Sequence, residues 1–208
     1  MVPAVKGGGT YRKDVVKIGL DMYLYTNSKV MSKAINKVDE GAPDYEVHWV
    51  EYRAKAGIAA QWRKANQIHK WFVDNVQDGN DDCGTYEVGV EQLQGLLGTV
   101  NKVLDSTKLV KGMVNNGYSF DHNMNKVYHV GDGLVLEDAS TARELLPTQE
   151  GFFFGGTDYD EYYWRDLKFT KEQLENVLGM VEQDEDGWNW HCNGEDDWNL
   201  TLQYHSSW

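Results

Sequence analysis

The sequence predicts an α+β fold: a single domain in which an antiparallel sheet, formed from N- and C-terminal strands, packs against about three helices. Three observations point there. Segments with two-residue apolar alternation lie near both ends, segments with helical periodicity lie between them, and no Rossmann or P-loop glycine pattern and no internal repeat intervenes. With 208 residues, 41% of them hydrophobic, the chain is long enough for one sizeable core and too apolar for an intrinsically disordered protein.

Residues 1–17 contain the run Gly7-Gly8-Gly9 and read as a loosely attached N-terminal arm, leaving 18–208 as the domain. In 18–25, Leu20, Met22 and Leu24 alternate with polar positions, the mark of a half-buried strand. A polar connection over 26–44 leads to 45–53, where Tyr45, Val47 and Trp49 oppose His48, Val50 and Tyr52, a second strand antiparallel to the first. The stretch 57–77 is the most regular in the chain. Wound as a helix, it places Trp62, Ala65, His69, Phe72, Val73 and Val76 on one face and closes at Asp78-Gly79. His69 sits inside that apolar stripe and Trp71 well off it.

An acidic turn over 78–84 and a short strand at 86–88 precede a helix over 90–104, striped by Leu93, Leu96, Leu97, Val100 and Val103. Gly95 and Gly98 lower its propensity, and their size allows a close helix approach. The segment 108–137 is rich in Asn and Gly. Asn116-Gly117 and Gly131-Asp132-Gly133 give turn signals, and 126–130 is expected to pair with 134–136 as a hairpin. A short helix over 139–145 stops before Pro147.

Residues 151–156, Gly-Phe-Phe-Phe-Gly-Gly, read as an aromatic strand. Thr157 or Asp158 then caps a long helix to about residue 182, striped by Tyr163, Leu167, Thr170, Leu174, Val177 and Val181. Thr170-Lys171-Glu172-Gln173 also fits a capping box at which that helix breaks. The segments 188–192 and 198–204 flank Asn193-Gly194 as a terminal hairpin.

Thirty-three acids against twenty bases give a net charge of −13. That argues against direct nucleic-acid binding, which needs clustered Lys and Arg, and favours a partner with a basic surface. No apolar run is long enough to span a bilayer, the first residues lack a signal-peptide core, and the two cysteines, Cys83 and Cys192, are too few for a disulfide framework. The expected setting is the cytoplasm, with free thiols and without cofactor, metal or membrane.

His69 could act as a base or stand as a core histidine with both nitrogens bonded. Asp78, Asn80 and Asp82 open like an EF-hand loop, but Cys83 and Gly89 stand where its glycine and glutamate belong, so the stretch is read as an acidic turn. Gly155-Gly156-Thr157, followed by Tyr159, Tyr163, Trp164 and Arg165, could form a pocket for a nucleotide-like ligand at a helix start. The C-terminal run sets Trp188 and Trp190 among Glu195, Asp196 and Asp197, which is how an acidic rim around tryptophan anchors for a basic partner would look; Trp71 could join it.

Three stretches taken together carry a resemblance. They are Gly19-Leu20-Asp21-Met22-Tyr23-Leu24, Trp62-Arg63-Lys64-Ala65-Asn66-Gln67-Ile68-His69-Lys70-Trp71-Phe72, and Leu145-Leu146-Pro147-Thr148-Gln149 leading into Gly151-Phe152-Phe153-Phe154-Gly155. With the ending Ser206-Ser207-Trp208 they resemble a group of phage and prophage proteins, over most of the chain. The resemblance implies a phage-borne protein working inside a bacterial cell, and it brings no activity to carry over to any residue. Lacking a visible nucleophile–base pair, the sequence reads as a binding protein rather than an enzyme. The expected function is inhibition of a basic host protein, such as a nucleic-acid-targeting defence complex. The alternative is a small-ligand protein that binds or hydrolyses a nucleotide-like molecule through 154–165.

Overall fold

The computed structural model describes residues 19–28, 57–184, 187–192, 195–197 and 200–208, of which 27–28, 57, 182–184, 187–192, 195–197 and 200 by backbone alone. The chain is α+β. Its elements are β1 (Asp21–Ser28), β2 (Gly57–Arg63), α1 (Asn66–Asn75), β3 (Thr85–Val88), α2 (Val90–Ser106), β4 (Leu109–Phe120), β5 (Lys126–Leu136), α3 (Ser140–Leu145), α4 (Glu161–Leu178), β6 (Val181–Asp184), β7 (Gly187–Cys192), β8 (Glu195–Asp197) and β9 (Leu200–Ser207).

The central sheet joins strands from both ends of the chain in the order β2-β1-β9-β3, every pairing antiparallel. Alternation decides which face is dry. Met22 stands opposite Trp62 and Ser206, Leu24 opposite Ala60 and Tyr204, and Val88 opposite Leu202, so these buried residues share one face. Against it lie Ile68 and Phe72 of α1, Leu93, Leu96 and Val100 of α2, and Tyr163, Leu167, Leu174 and Val177 of α4, in one apolar cluster. The stripes read for α2 and α4 are therefore the core faces. The expected strand at 45–53 and the arm 1–17 lie outside the described residues.

Several expectations are corrected. Residues 57–63 are a strand, not the first turns of a helix: Ala60 and Trp62 are buried while Gln61 and Arg63 are exposed, an alternation that matches pairing with β1. Arg63 fixes the end of that pairing by donating to Asp21 at 2.7 Å. Lys64, at φ 61°, then turns the chain into α1. Gly95 and Gly98 mark no close approach, since a Cβ on either would meet nothing within 4 Å. Residues 126–136 form one continuous strand paired with β4, so Gly131-Asp132-Gly133 runs through the strand and Asn116-Gly117 sits at a bulge in its partner. The reversal comes at 121–125, where the Asp121 carboxylate accepts from the N–H groups of Asn123 and Asn125 at 2.8 and 2.9 Å.

Residues 151–156 are a loop rather than a strand, with Phe154 buried and Phe152 almost wholly exposed. α4 starts at Glu161 and runs unbroken through Thr170. Its cap is Asp160, whose carboxylate takes the N–H groups of Tyr162 and Tyr163 at 2.8 and 3.2 Å. The terminal hairpin is also differently paired. β7 pairs with β6 and with β8, whereas β9 leaves for the central sheet.

Asn66 fastens the 149–156 loop to the first helix. Its amide donates to the carbonyls of Phe154 and Gly156 at 3.1 and 2.7 Å and accepts from Gln149 N–H at 2.9 Å, all while the side chain is buried. Replacing it strands backbone groups in a dry site. Asn66→Ala is expected to cost about 2–3 kcal/mol in urea unfolding, and Asn66→Asp, which sets a carboxylate against two carbonyl oxygens, at least as much. A loss under about 1 kcal/mol would mean the loop is held by other contacts.

Candidate functional site

The buried polar centre forms where α1 meets β9. His69 has no exposed surface. Its Nδ1 lies 2.8 Å from the Tyr204 hydroxyl and its Nε2 lies 3.0 Å from Asp81 Oδ1. A carboxylate only accepts, so Nε2 carries the hydrogen and Nδ1 accepts from the tyrosine O–H. That assignment satisfies all three groups with the imidazole neutral. Burial holds the His69 pKa below its usual value of 6.5, outweighing the upward pull of Asp81. Burial also pushes the Tyr204 hydroxyl well above its ordinary range.

Asp81 Oδ1 accepts a second hydrogen bond, from Trp208 Nε1 at 3.0 Å. The Trp208 ring packs edge-on against Phe154, whose own ring meets His69 at 5.3 Å. The network thus runs from the exposed end of the chain to a closed interior. Tyr204 and His69 have no exposed surface, so this carboxylate–imidazole–hydroxyl line ties α1, the turn after it and β9 together. Asp81 lies twelve residues beyond His69, outside the helical spacing at which a partner is sought in sequence.

The acidic turn is spent on internal bonds. Asp82 accepts from Gly84 N–H at 2.8 Å and from the Tyr86 hydroxyl at 3.0 Å, and Gln77 donates to the Asn80 carbonyl at 2.7 Å. Among the described residues no group of three or more His, Cys, Asp or Glu converges as metal ligands do. Cys83 carries a free, half-buried thiol.

The residues read as a nucleotide-like pocket converge only in part: Thr157 and Tyr159 line one cleft and the Tyr159 ring meets Tyr163 at 4.9 Å, while Arg165 lies elsewhere. Tyr163 is a core residue, 3% exposed, donating its hydroxyl to the Leu146 carbonyl at 2.9 Å, and burial raises its pKa. Thr157 is not a helix cap; its carbonyl accepts from Thr148 Oγ1 at 3.0 Å. Thr157 and Tyr159 border an open cleft of about 460 Å³ that reaches the base of the β4–β5 ribbon, with Arg143 lying over the Tyr159 ring at 5.0 Å. Arg165 faces elsewhere, over Tyr162 and beside Trp62, Asp166 and Phe169. Trp164 is half-buried under Lys168, and Trp71 is half-buried with its edge against Phe72. A helix start with free amides is also missing from this region, because Asp160 already fills those of α4.

The backbone does bring the C-terminal candidates together. Trp190 stands in register with Asp197, His191 with Asp196 and Cys192 with Glu195, while Trp188 pairs with Gln183. Trp188, Trp190, Glu195, Asp196 and Asp197 therefore belong to one three-stranded antiparallel sheet.

Sequence reasoning missed the most exposed apolar surface, on β4–β5. Met113, Tyr118, Phe120, Met124, Val127, Tyr128 and Val130 are each between 44% and 74% exposed. Their signal was present as alternating apolar residues on both sides of the Asp121 turn, but the glycines drew the expected reversal elsewhere.

No family model, no curated protein and no solved structure matches the chain. The fold and the disposition of these groups define an α+β protein in which His69 is internal. Among the described residues, no helix is long and apolar enough to cross a membrane.

Asp166 offers a direct reading of the core's electrostatics. Burial beside Trp62 and Gln67 raises its pKa from 3.8 to about 6 despite nearby Arg165. Above that pH the folded chain carries a poorly solvated carboxylate; between about 6 and 3.8 it holds a proton that the unfolded chain has lost, and the penalty is relieved as pH falls. Asp166→Asn is therefore expected to stabilise the protein at pH ~7.5, with an advantage that shrinks toward pH ~4 in thermal melts. His69 works in the opposite sense. Its folded pKa lies below 6.5, so its contribution is whole above that pH and declines as pH falls below it. An Asp166→Asn advantage independent of pH would contradict the buried carboxylate.

Proposed function

We propose that this chain is an acidic binding protein that docks on a basic host protein and inhibits it, a nucleic-acid-targeting complex being the class of partner its charge fits. The observation that carries this reading is the β6–β7–β8 sheet. Its register sets Trp190 against Asp197 and draws Glu195, Asp196 and Trp188 into the same few strands. Tryptophans and carboxylates in neighbouring register positions of one small sheet have the composition of a hot spot for a cationic partner. The net charge of −13 adds long-range attraction to such a partner and repels nucleic acid itself. The resemblance to phage proteins supports a bacterial cytoplasm as the place of action. The internal position of His69 supports binding over catalysis, and the placement of Arg165 away from the Thr157–Tyr159 cleft favours this reading over a nucleotide-like pocket at 154–165.

The test is capture from a bacterial host lysate with the tagged chain at low and moderate salt. A basic, nucleic-acid-handling protein should be recovered in stoichiometric amount, and its yield should fall steeply with salt. The triple variant E195K/D196K/D197K should lose it. Capture that ignores both salt and charge reversal would contradict this reading.

A further inference from the structure

The β4–β5 ribbon has one face whose chemistry is ordered along its length. From the middle of the ribbon to its tip the register places Met113 beside Asp132, Asn115 beside Val130, Tyr118 beside Tyr128 and Phe120 beside Lys126. The bulge between Asn115 and Tyr118 keeps these rows on a common face, because β4 places two residues there, one more than β5. Ring contacts bear out the arrangement. Tyr118 meets Tyr128 across the strands at 6.0 Å and Phe120 along its own strand at 5.4 Å, and Lys126 Nζ lies 4.5 Å above the Tyr118 ring. All eight side chains are exposed. A two-stranded ribbon is marginal when its apolar residues face water on both sides, and an exposed patch of this kind marks a contact surface.

We propose that this face is where two copies of the chain meet, about a two-fold axis. The order of the rows selects that occupant. Let the axis lie across the ribbon, between the Asn115–Val130 and Tyr118–Tyr128 rows. The operation lays β4 on β4 and β5 on β5 with their directions reversed. Met113 then covers Phe120 of the second copy, Val130 covers Tyr128, Asn115 meets Tyr118, and Asp132 meets Lys126, each contact made twice. Among these eight side chains Met113, Val130, Tyr128 and Phe120 fall on one another, and the one carboxylate falls on the one ammonium. No such match arises if the ribbons run in the same direction: the axis then lies along the strands and lays β4 on β5, which sets Lys126 on Phe120 and Asp132 on Met113 and pairs no opposite charges. The axis leaves the two bodies at opposite ends of the paired ribbons, so the base of one lies past the tip of the other.

Eight side chains per copy cover roughly 400–600 Å² each, at the lower limit for a specific interface, which fits a dimer that forms in the micromolar range. The net charge of −13 on each chain opposes association. Salt screens that repulsion and leaves the apolar contact intact, so dimerisation tightens with salt. Host-protein binding through the acidic sheet has the opposite response, and the two readings fail separately.

Sedimentation equilibrium of the full chain, across about 1–200 µM and at about 50 and 500 mM NaCl, reads the result. The wild type should form a dimer that is tighter at the higher salt. Tyr128→Glu, at an exposed position where folding checked by circular dichroism stays intact, should leave a monomer. Lys126→Asp and Asp132→Lys should each weaken self-association about tenfold or more by opposing like charges. An equimolar mixture of these two variants should associate as the wild type does, since every pair is then restored; so should the double variant K126D/D132K. The two positions lie roughly 20 Å apart along β5, too far for an intrachain pair to explain the rescue. A wild-type chain that stays monomeric throughout, a dimer indifferent to Tyr128→Glu, or single variants that do not rescue each other would overturn the proposal.

Discussion

The structure depends on the contact between Phe72 and Tyr204, whose rings stack 4.0 Å apart and 8° from parallel. Tyr204 stands opposite both Leu24 and Tyr86, so it lies in the strand that unites β1 with β3. Phe72 lies on the core side of α1 and also touches Trp62 of β2. One stack therefore joins the first helix to β9, which β1 and β3 flank, and through Trp62 to β2. Burying two large aromatic side chains contributes about 1.5–3 kcal/mol each, but a tyrosine in a dry core must also place its hydroxyl. His69, one helical turn before Phe72, answers that need, and Asp81 in turn fixes the tautomer in which His69 can accept. His69 thus supplies the acceptor that the buried Tyr204 hydroxyl needs.

The same economy governs the other interior polar groups. Trp62 donates to Thr170 Oγ1 at 3.0 Å, and Thr170 passes its own hydrogen to the Asp166 carbonyl at 2.7 Å, which ties β2 to α4. Asn66 binds a loop through three backbone groups. Among the described residues only Gln77 Oε1 and Ser206 Oγ are buried without a partner. With the interior satisfied in this way, the groups left for recognition are at the surface, and they are of two kinds. One is acidic and responds to salt as a charged surface does. The other is the apolar ribbon, on which screening acts in the opposite direction. A protein carrying both would present its acidic sheet twice, and a partner with two basic sites would gain from that.

The α+β class and most of the core were legible because they rest on periodicity. Leu93, Leu96, Val100 and Val103 on α2, and Tyr163, Leu167, Thr170, Leu174 and Val177 on α4, are buried as their spacing requires. The same logic misled at Trp62. A residue seven before His69 satisfies a helical stripe, yet Trp62 reaches that core from a strand, and the Ala60/Trp62 alternation that decides it is too short to outweigh the longer pattern. In the ribbon, Gly131 and Gly133 looked like turn residues. In fact Gly112 and Gly133 make room for Val135 and Val114 across the strands, where an added Cβ would come within 2.5 Å of a valine methyl. The Asp81–His69 pair was illegible because it closes through the turn after α1 rather than along the helix. The acidic tryptophan sheet was legible as composition, whereas its pairing was not, since composition does not say that β7 pairs with β6 and β8 while β9 joins the central sheet.

The state of the His69 ring tests the account most directly. Nitrogen NMR across pH reports both its charge and which nitrogen carries the hydrogen. A neutral ring with hydrogen on Nε2 is expected at pH ~7, taking up its proton only below the ordinary 6.5 because burial disfavours the charged form. The Tyr204 hydroxyl proton is also expected to be slow to exchange, as befits a closed core. A ring that titrates near 6.5, or that carries its hydrogen on Nδ1, would contradict this. It would mean that solvent reaches the Asp81–His69–Tyr204 line, and a catalytic role for His69 would then have to replace the structural one.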